Sequence, residues 1–351
     1  MNSRYLLWTL LCLAGTSGFA CAQEQNVAPL QPLGDGVAAA ATSIDPDEYL
    51  QKLGVIAHDS MGGRDTPSPG LEMTAAWVAD EFERIGLSGG GDDGAYVQRY
   101  PIESLRLSGG QDLESWSAPN VVGILEGSDP SLKEEYVVLS AHMDHIGVGT
   151  PNAEGDSINN GADDDASGTT ALIQIAEAFA SLGTKPKRSM IFLLVSGEEK
   201  GLWGSAHFVE NPPVPTERMV ANLNVDMIGR NWPDTIVAIG MEYSDLGETL
   251  MLVNDAHPEI GMTAIDDIWP GERFFFRSDH YMFARKGVPA LFFFNGTHED
   301  YHGRDDEVDR IDAEKAVRIS QLIFYLGYEL ANRPGRPRWD PERRQQIVSE
   351  P

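Results

Sequence analysis

Apolar and polar positions alternate in blocks along most of the chain. Between residues 45 and 87 the apolar positions recur at helical spacing, weakly over 49–58 and more strongly over 71–85, where Gly86 supplies a stop. From residue 120 onward, short unbroken apolar runs appear at 121–125, 136–140 and 190–195. Runs of this length, rich in β-branched and aromatic residues, predict strands buried on both faces of a sheet. Further strands are expected at 221–225, 236–239 and 289–294, with helices over 166–182, 246–256, 280–286 and 313–330. Strands separated by helices predict an α/β fold: a mixed, mainly parallel central sheet sandwiched between helices. The glycine-rich stretch 88–94 has no strand before it and no Lys-Ser/Thr after it, so it reads as a turn and not a phosphate-binding loop. No internal repeat is visible.

The ends of the chain read differently. In residues 1–22, Arg4 precedes about ten apolar residues and the small-residue ending Ala20-Cys21-Ala22, the pattern of a secretory signal cleaved before Gln23. That run falls well short of the roughly twenty residues that span a bilayer, so no stable membrane insertion is expected and the protein is expected to be exported, periplasmic or secreted. A lipid anchor on Cys21 is the weaker reading, because Gly18-Phe19-Ala20 lacks the aliphatic residue usual before a lipidated cysteine. Cys12 and Cys21 are the two cysteines of the chain, so removal of this segment leaves no disulfide to stabilise the fold. Residues 23–44 read as a flexible leader, the fold is expected to start near Asp45, and residues 333–351 read as a loosely held tail.

Charge narrows the function. With 26 Lys+Arg against 54 Asp+Glu the net charge is 26 − 54 = −28, which excludes a generic nucleic-acid binder, since that needs a basic face.

The candidate chemistry lies where the strands end. The second strand runs into His142-Met143-Asp144-His145. Strand alternation puts His142 and Asp144 on one face, Met143 and His145 on the other. An imidazole beside a carboxylate suits a metal ligand and the partner that fixes its tautomer. Asp163, Asp164 and Asp165 come next, at a helix start where one carboxylate would satisfy the cap. Three adjacent anions repel, so a nearby cation is the more economical explanation. Gly197-Glu198-Glu199 lies just after the third strand, Asp226 after the fourth, and His298 and His302 after the last. Strand carboxyl ends are where open α/β sheets bind ligands, and this mix of histidines and carboxylates suits a two-metal site.

Together, His142-Met143-Asp144, the 161–168 motif, Gly197-Glu198-Glu199, Asp226-Met227 and His302 resemble the co-catalytic di-zinc exopeptidases of metallopeptidase family 28. That family includes bacterial leucine-type aminopeptidases and related glutamate carboxypeptidases. The resemblance runs over about residues 49–323. It implies that His142 and Asp226 bind one zinc, Glu199 and His302 the other, and that Asp164 bridges them. It also implies Asp144 as the partner of His142 and Glu198 as general acid/base. His302 is preferred to His298 because, as in the family pattern, it precedes a polar turn, Gly303-Arg304-Asp305-Asp306. The segment 277–290 is similar to the family as well: Asp279 and His280 line or brace the site, or merely cap the helix. Phe274-Phe275-Phe276 shapes an apolar specificity pocket or belongs to the core. Residues 96–120 are too few for the inserted protease-associated domain of some members, so one catalytic domain over 45–332 is expected.

These features favour an exported zinc aminopeptidase acting on peptides whose free N-terminus is held by an acidic rim. Three alternatives differ in class or in substrate. A glutaminyl cyclase would use one zinc, and the retained Glu199 speaks against it. A carboxypeptidase or dipeptidase would need a cation for a terminal carboxylate, for which Arg277 is the obvious candidate. A binding domain that had lost its metals would not keep every ligand position filled. The Asn295-Gly296-Thr297 sequon lies in the expected site loop and is read as unused.

Overall fold

A computed structural model describes residues 28–102, 116–153 and 155–348. The expected signal segment, with Cys12 and Cys21, lies outside these. Among the described residues, nine strands form the sheet: β1 (Ser88–Gly89), β2 (Val97–Pro101), β3 (Ser117–Leu125), β4 (Tyr136–His142), β5 (Ser189–Val195), β6 (Met219–Val225), β7 (Thr235–Ile239), β8 (Thr263–Ile265) and β9 (Ala290–Phe293). Their spatial order is β3-β5-β4-β6-β9-β7-β8, with β1 and β2 both paired to β3. The four strands β5, β4, β6 and β9 are mutually parallel, and antiparallel pairs β3–β5 and β7–β9 flank them. The sheet is therefore mixed with a parallel centre, the α/β architecture read from the sequence.

Nine helices accompany the strands among the described residues: α1 (Val37–Thr42), α2 (Pro46–Ile56), α3 (Pro69–Ile85), α4 (Gly168–Ala180), α5 (Trp203–Glu210), α6 (Leu246–Ala256), α7 (His280–Arg285), α8 (Ala313–Asn332) and α9 (Pro341–Val348). Every residue of β5 is buried, and alternation divides its side chains between two layers. Met190, Phe192 and Leu194 face a core shared with α4 and α8; Phe179 of α4 packs on Phe192 and Phe324 of α8 at ring separations of 6.2 and 4.6 Å. Ile191, Leu193 and Val195 face the opposite core, with Phe208 of α5 and Phe283 of α7. Helices on both faces explain why the strands read as unbroken apolar runs.

Three expectations are corrected at the margins. Order begins before Asp45: Val37, Ala40 and Ala41 of α1 are buried in the main core, a helix too short and alanine-rich to show a period. The glycine stretch is not a plain turn, because Ser88 and Gly89 pair with β3. A Cβ on Gly89 would fall 2.3 Å from the Gly94 carbonyl oxygen, so the close approach requires glycine there. The tail is not loose either. The buried Arg188 guanidinium donates to the carbonyls of Leu330 and Arg333, and Trp339 donates its indole N–H to the Gly287 carbonyl at 2.8 Å. Ile347 of α9 is buried beside Phe275 and Ile239. Among the described residues, no helix is long and apolar enough to cross a membrane.

The tail packing sets an expectation. Trp339→Ala removes a partly buried indole and its hydrogen bond, and urea denaturation should show a loss of about 2 kcal/mol. A change within about 0.5 kcal/mol is what a loosely held tail would give.

Candidate metal centre

Because β5, β4, β6 and β9 are parallel, their carboxyl ends share one edge, and the residues just beyond Val195, His142, Val225 and Phe293 converge there. His142 Nε2 lies 3.3 Å from Asp164 Oδ1 and 3.6 Å from Asp226 Oδ1. His302 Nε2 lies 3.2 Å from Asp164 Oδ2 and 3.2 Å from Glu199 Oε2. The two oxygens of Asp164 thus face two separate His–carboxylate sets, while His298 points instead at Asp163, 3.3 Å away.

The aspartate triplet divides its work. Asp163 Oδ1 accepts the Gly229 N–H at 2.6 Å. Asp165 accepts the N–H groups of Gly168, Met227 and His142 at 2.8, 3.2 and 3.1 Å. Asp164 and Asp165 have non-helical backbone angles, so the three side chains diverge in place of stacking on a helix face. Only Asp164 presents both oxygens to the centre. Its own N–H and that of Asp163 are taken by the buried Asp306 carboxylate. Burial alone would raise the Asp164 carboxyl, but His145, His142 and His302 outweigh it and hold it well below its ordinary range.

Asp144 acts partly through a different atom than expected. The nearer partner of His142 Nδ1 is the Asp144 backbone carbonyl at 3.1 Å, with the carboxylate at 3.7 Å. A proton held toward that carbonyl leaves the Nε2 lone pair facing Asp164 and Asp226. The Asp144 carboxylate accepts the Thr66 hydroxyl at 2.9 Å and the Glu198 N–H at 3.3 Å. It therefore fixes the backbone from which Glu198 projects.

His145 corrects the alternation argument. β4 ends at His142, and the chain then bridges to Asp65, so the period of two no longer applies. Fully buried His145 turns back into the centre, its Nδ1 3.0 Å from Glu199 Oε1 and 3.7 Å from Asp164 Oδ2. Beneath it, the buried Arg64 donates to the carbonyls of Met143, Ile56, Asn160 and Gly161. Ser278 donates to Asp226 Oδ2 at 3.1 Å. Arg64 and Thr66 carry no spacing signal, and Ser278 and Asp306 lie in segments singled out above but were given no role there; neighbours in space reveal what these four do.

The remaining candidates separate. Asp279 sits at the start of α7 without making a capping bond. Its Oδ1 accepts the Ser205 hydroxyl at 2.5 Å, and burial, with Asp144 and Asp226 adding to it, pushes its carboxyl up to about 7 against the pull of His142. It braces α7 against α5 behind the site. His280 does not line the pocket itself: its ring packs between Phe292 and Phe275 at 4.6 and 4.9 Å. Arg277 does line the pocket, its guanidinium 4.9 Å from the Phe274 ring centre and 3.7 Å from Glu272. The phenylalanine run is split: Phe274 helps line the pocket with Met227, Phe292, Phe294 and Tyr301, while Phe275 belongs to the core. Asn295 of the sequon is fully buried, accepting from Val237 and donating to Thr235, so it is closed to modification in the folded protein.

Protonation and donor chemistry both favour cations here. Burial pushes the Glu198 carboxyl well above its ordinary range, with Asp279, Asp226 and Glu199 adding to it against the pull of His142. Burial would depress His302, but Asp164 and Glu199 lift it to about 10. Asp164 Oδ2, Glu199 Oε1, Asp226 Oδ1 and both His145 nitrogens are buried without a hydrogen-bond partner. Orphaned buried polar atoms each cost about 1–3 kcal/mol. Two groups gather ligand atoms within 4.8 Å: His142, Asp165 and Asp226, and His145, Asp164 and Glu199. In the first, Asp165 is already engaged by three N–H groups, whereas Asp164 is not. Imidazole and carboxylate together suit zinc, so the residues fit two such ions.

The buried His280 gives a pH-dependent expectation. Burial lowers its pKa from 6.5 to about 3 in the fold, so its neutral form stabilises the protein fully above about pH 6.5, and that stability is lost as pH falls toward 3. Between pH 7 and pH 5 the loss should be about 2 kcal/mol, and His280→Phe should abolish it. Denaturation curves at the two pH values test this; equal pH slopes in variant and wild type would refute it.

The chain is 24% identical to a probable zinc metalloprotease of Pyricularia oryzae, over 91% of this chain and 72% of that one. It is 26% identical to a probable leucine aminopeptidase of Arthroderma otae over 62% of this chain, spanning 58% of that relative's length. Its fold resembles that of the LapA aminopeptidase of Legionella pneumophila, with a TM-score of 0.65, 22% identity, and coverage of 93% and 81% of the two chains. The model of peptidase family M28 matches residues 120–327, the stretch that contains every residue of the centre named above from His142 to His302. The chain belongs to peptidase family M28.

Proposed function

We propose that the protein is an exported di-zinc aminopeptidase that removes apolar residues from the N-terminus of peptides. The observation that carries this reading is Asp164, whose two oxygens face His142 with Asp226 on one side and His302 with Glu199 on the other. His142, Asp164 and Asp226 would hold one zinc, and Asp164, Glu199 and His302 the other, with His145 against Glu199. Bound there, zinc would acidify water and polarise a peptide carbonyl.

The protein's own groups supply the rest. Glu199 is held below its ordinary range by His145 and His302, against burial and Asp164, which suits a ligand. Glu198 is pushed the other way, which suits a carboxyl that takes a proton from the attacking water and returns it to the leaving amine. Asp144 holds the Glu198 backbone in place. Met227, Phe274, Phe292 and Phe294 offer an apolar surface for the first side chain, in keeping with a relative named leucine aminopeptidase. The free amine would be held by the acidic groups at the rim. Export rests on the signal pattern of residues 1–22.

Metal analysis of the purified protein, with leucyl-anilide, its N-acetylated form and a glutaminyl peptide as substrates, tests the reading. About two zinc ions per chain are expected, with turnover of the free-amine substrate alone and loss of activity on chelation. Glu198→Gln should keep the zinc and lower kcat by about 10²- to 10⁴-fold. Ammonia release from the glutaminyl peptide would make the protein a cyclase, and cleavage confined to C-terminal residues would make it a carboxypeptidase. Sequencing the N-terminus of protein recovered outside the cytoplasm should read from Gln23; a retained residue 1 would refute export by this signal.

A further inference from the structure

An exposed tryptophan on its own needs no explanation, but Trp232 is not on its own. Its ring stacks on Trp269 at 5.9 Å and 25°. Trp269 in turn meets Phe274 at 5.7 Å and Phe294 at 6.1 Å, both edge-on. Those two phenylalanines line the pocket beside the metal centre. A continuous aromatic path therefore runs from the pocket wall to the surface, where Trp232 is 39% and neighbouring Ile268 47% exposed.

The path is fixed in place from both sides. Trp269 lies directly over Gly296, where a Cβ would fall 2.7 Å from the indole. Gly296 belongs to the same loop as His302. The Trp269 backbone N–H donates to the Asp267 carboxylate at 2.7 Å. On the other side, Asn231 adopts a left-handed conformation, φ 70°, and its side-chain amide donates to the Asn295 carbonyl at 2.7 Å, tying the loop of Trp232 to the loop after β9. Such a surface loses little freedom on binding a ligand, and preordered aromatic surfaces are effective anchors.

An aminopeptidase encloses the amino end of its substrate, so the only direction left to the chain is outward, past the bond to be cut. We infer that Trp232 and Trp269 form a shelf that binds an aromatic side chain just downstream of the cleaved bond, making the enzyme selective for the second or third residue of its substrate. This rests on the aminopeptidase reading and extends it to the substrate class: peptides with an apolar first residue and an aromatic residue second or third.

Steady-state kinetics on Leu-Gly-Gly-Gly, Leu-Phe-Gly-Gly and Leu-Gly-Phe-Gly, with leucinamide alongside, test the shelf. One of the phenylalanine peptides should exceed the all-glycine peptide about tenfold in kcat/KM, mainly through a lower KM. Trp232→Ala should remove most of that preference and leave leucinamide turnover, which offers the shelf no aromatic group, unchanged, and Trp232→Phe should retain much of it. No preference in the wild type, or a preference that survives Trp232→Ala, would overturn the shelf while leaving the aminopeptidase intact. Failure of the wild type to hydrolyse leucinamide and the leucyl peptides would instead bring down the aminopeptidase reading and the shelf with it.

Discussion

Burying negative charge at one edge of a sheet is the constraint around which the molecule is organised. Asp144, Asp163, Asp164, Asp165 and Asp306 are all essentially inaccessible, and Asp226 nearly so. A buried carboxylate persists only where donors or positive charge offset its lost hydration. The fold supplies backbone N–H groups to Asp163, Asp165 and Asp306, hydroxyls to Asp144 and Asp226, and histidines to Asp164. What is left over after these partners is the set of oxygens aimed into the centre. The chemistry of the site is thus the residue of a charge-compensation problem that the surrounding backbone otherwise solves.

The compensation also explains why the N-terminal helical arm is part of the catalytic unit although it contributes no candidate ligand. Arg64 crosses from that arm to carbonyls on both sides of the centre, next to Met143 and Gly161. Thr66 links Asp144 to the Gly197 N–H that begins the Glu198 loop. Removing the arm would free the loops on two strand ends at once.

Most of the sheet was legible because strands covered on both faces announce themselves as apolar runs. β4, β5 and β6 begin or end within two residues of their expected bounds, and α6 coincides with its expectation. β2 was missed because it pairs on one side only and buries Gln98 beside Tyr100, so polarity hides its period. β8 has three residues and α1 six, too few for any period to register. In the site, the residues carried by strand ends were visible as clusters of charge in apolar sequence. His145 was misjudged because alternation was extended past the end of β4. Arg64 and Thr66 were invisible because their roles are set by hydrogen bonds across the fold rather than by neighbours in sequence.

The buried sequon carries a consequence for the chain before it folds. Oligosaccharide transfer acts on unfolded polypeptide, when Asn295 is still accessible. In the finished protein both ends of its amide are spent on the backbone of β7, at the join between β9 and its antiparallel neighbour. A sugar attached at that moment would occupy the place where β7 must dock, and the loop bearing His302 could not close. Production through a eukaryotic secretory pathway would thus divide the chains into those that escaped the transferase and became enzyme and those that did not and stayed unfolded.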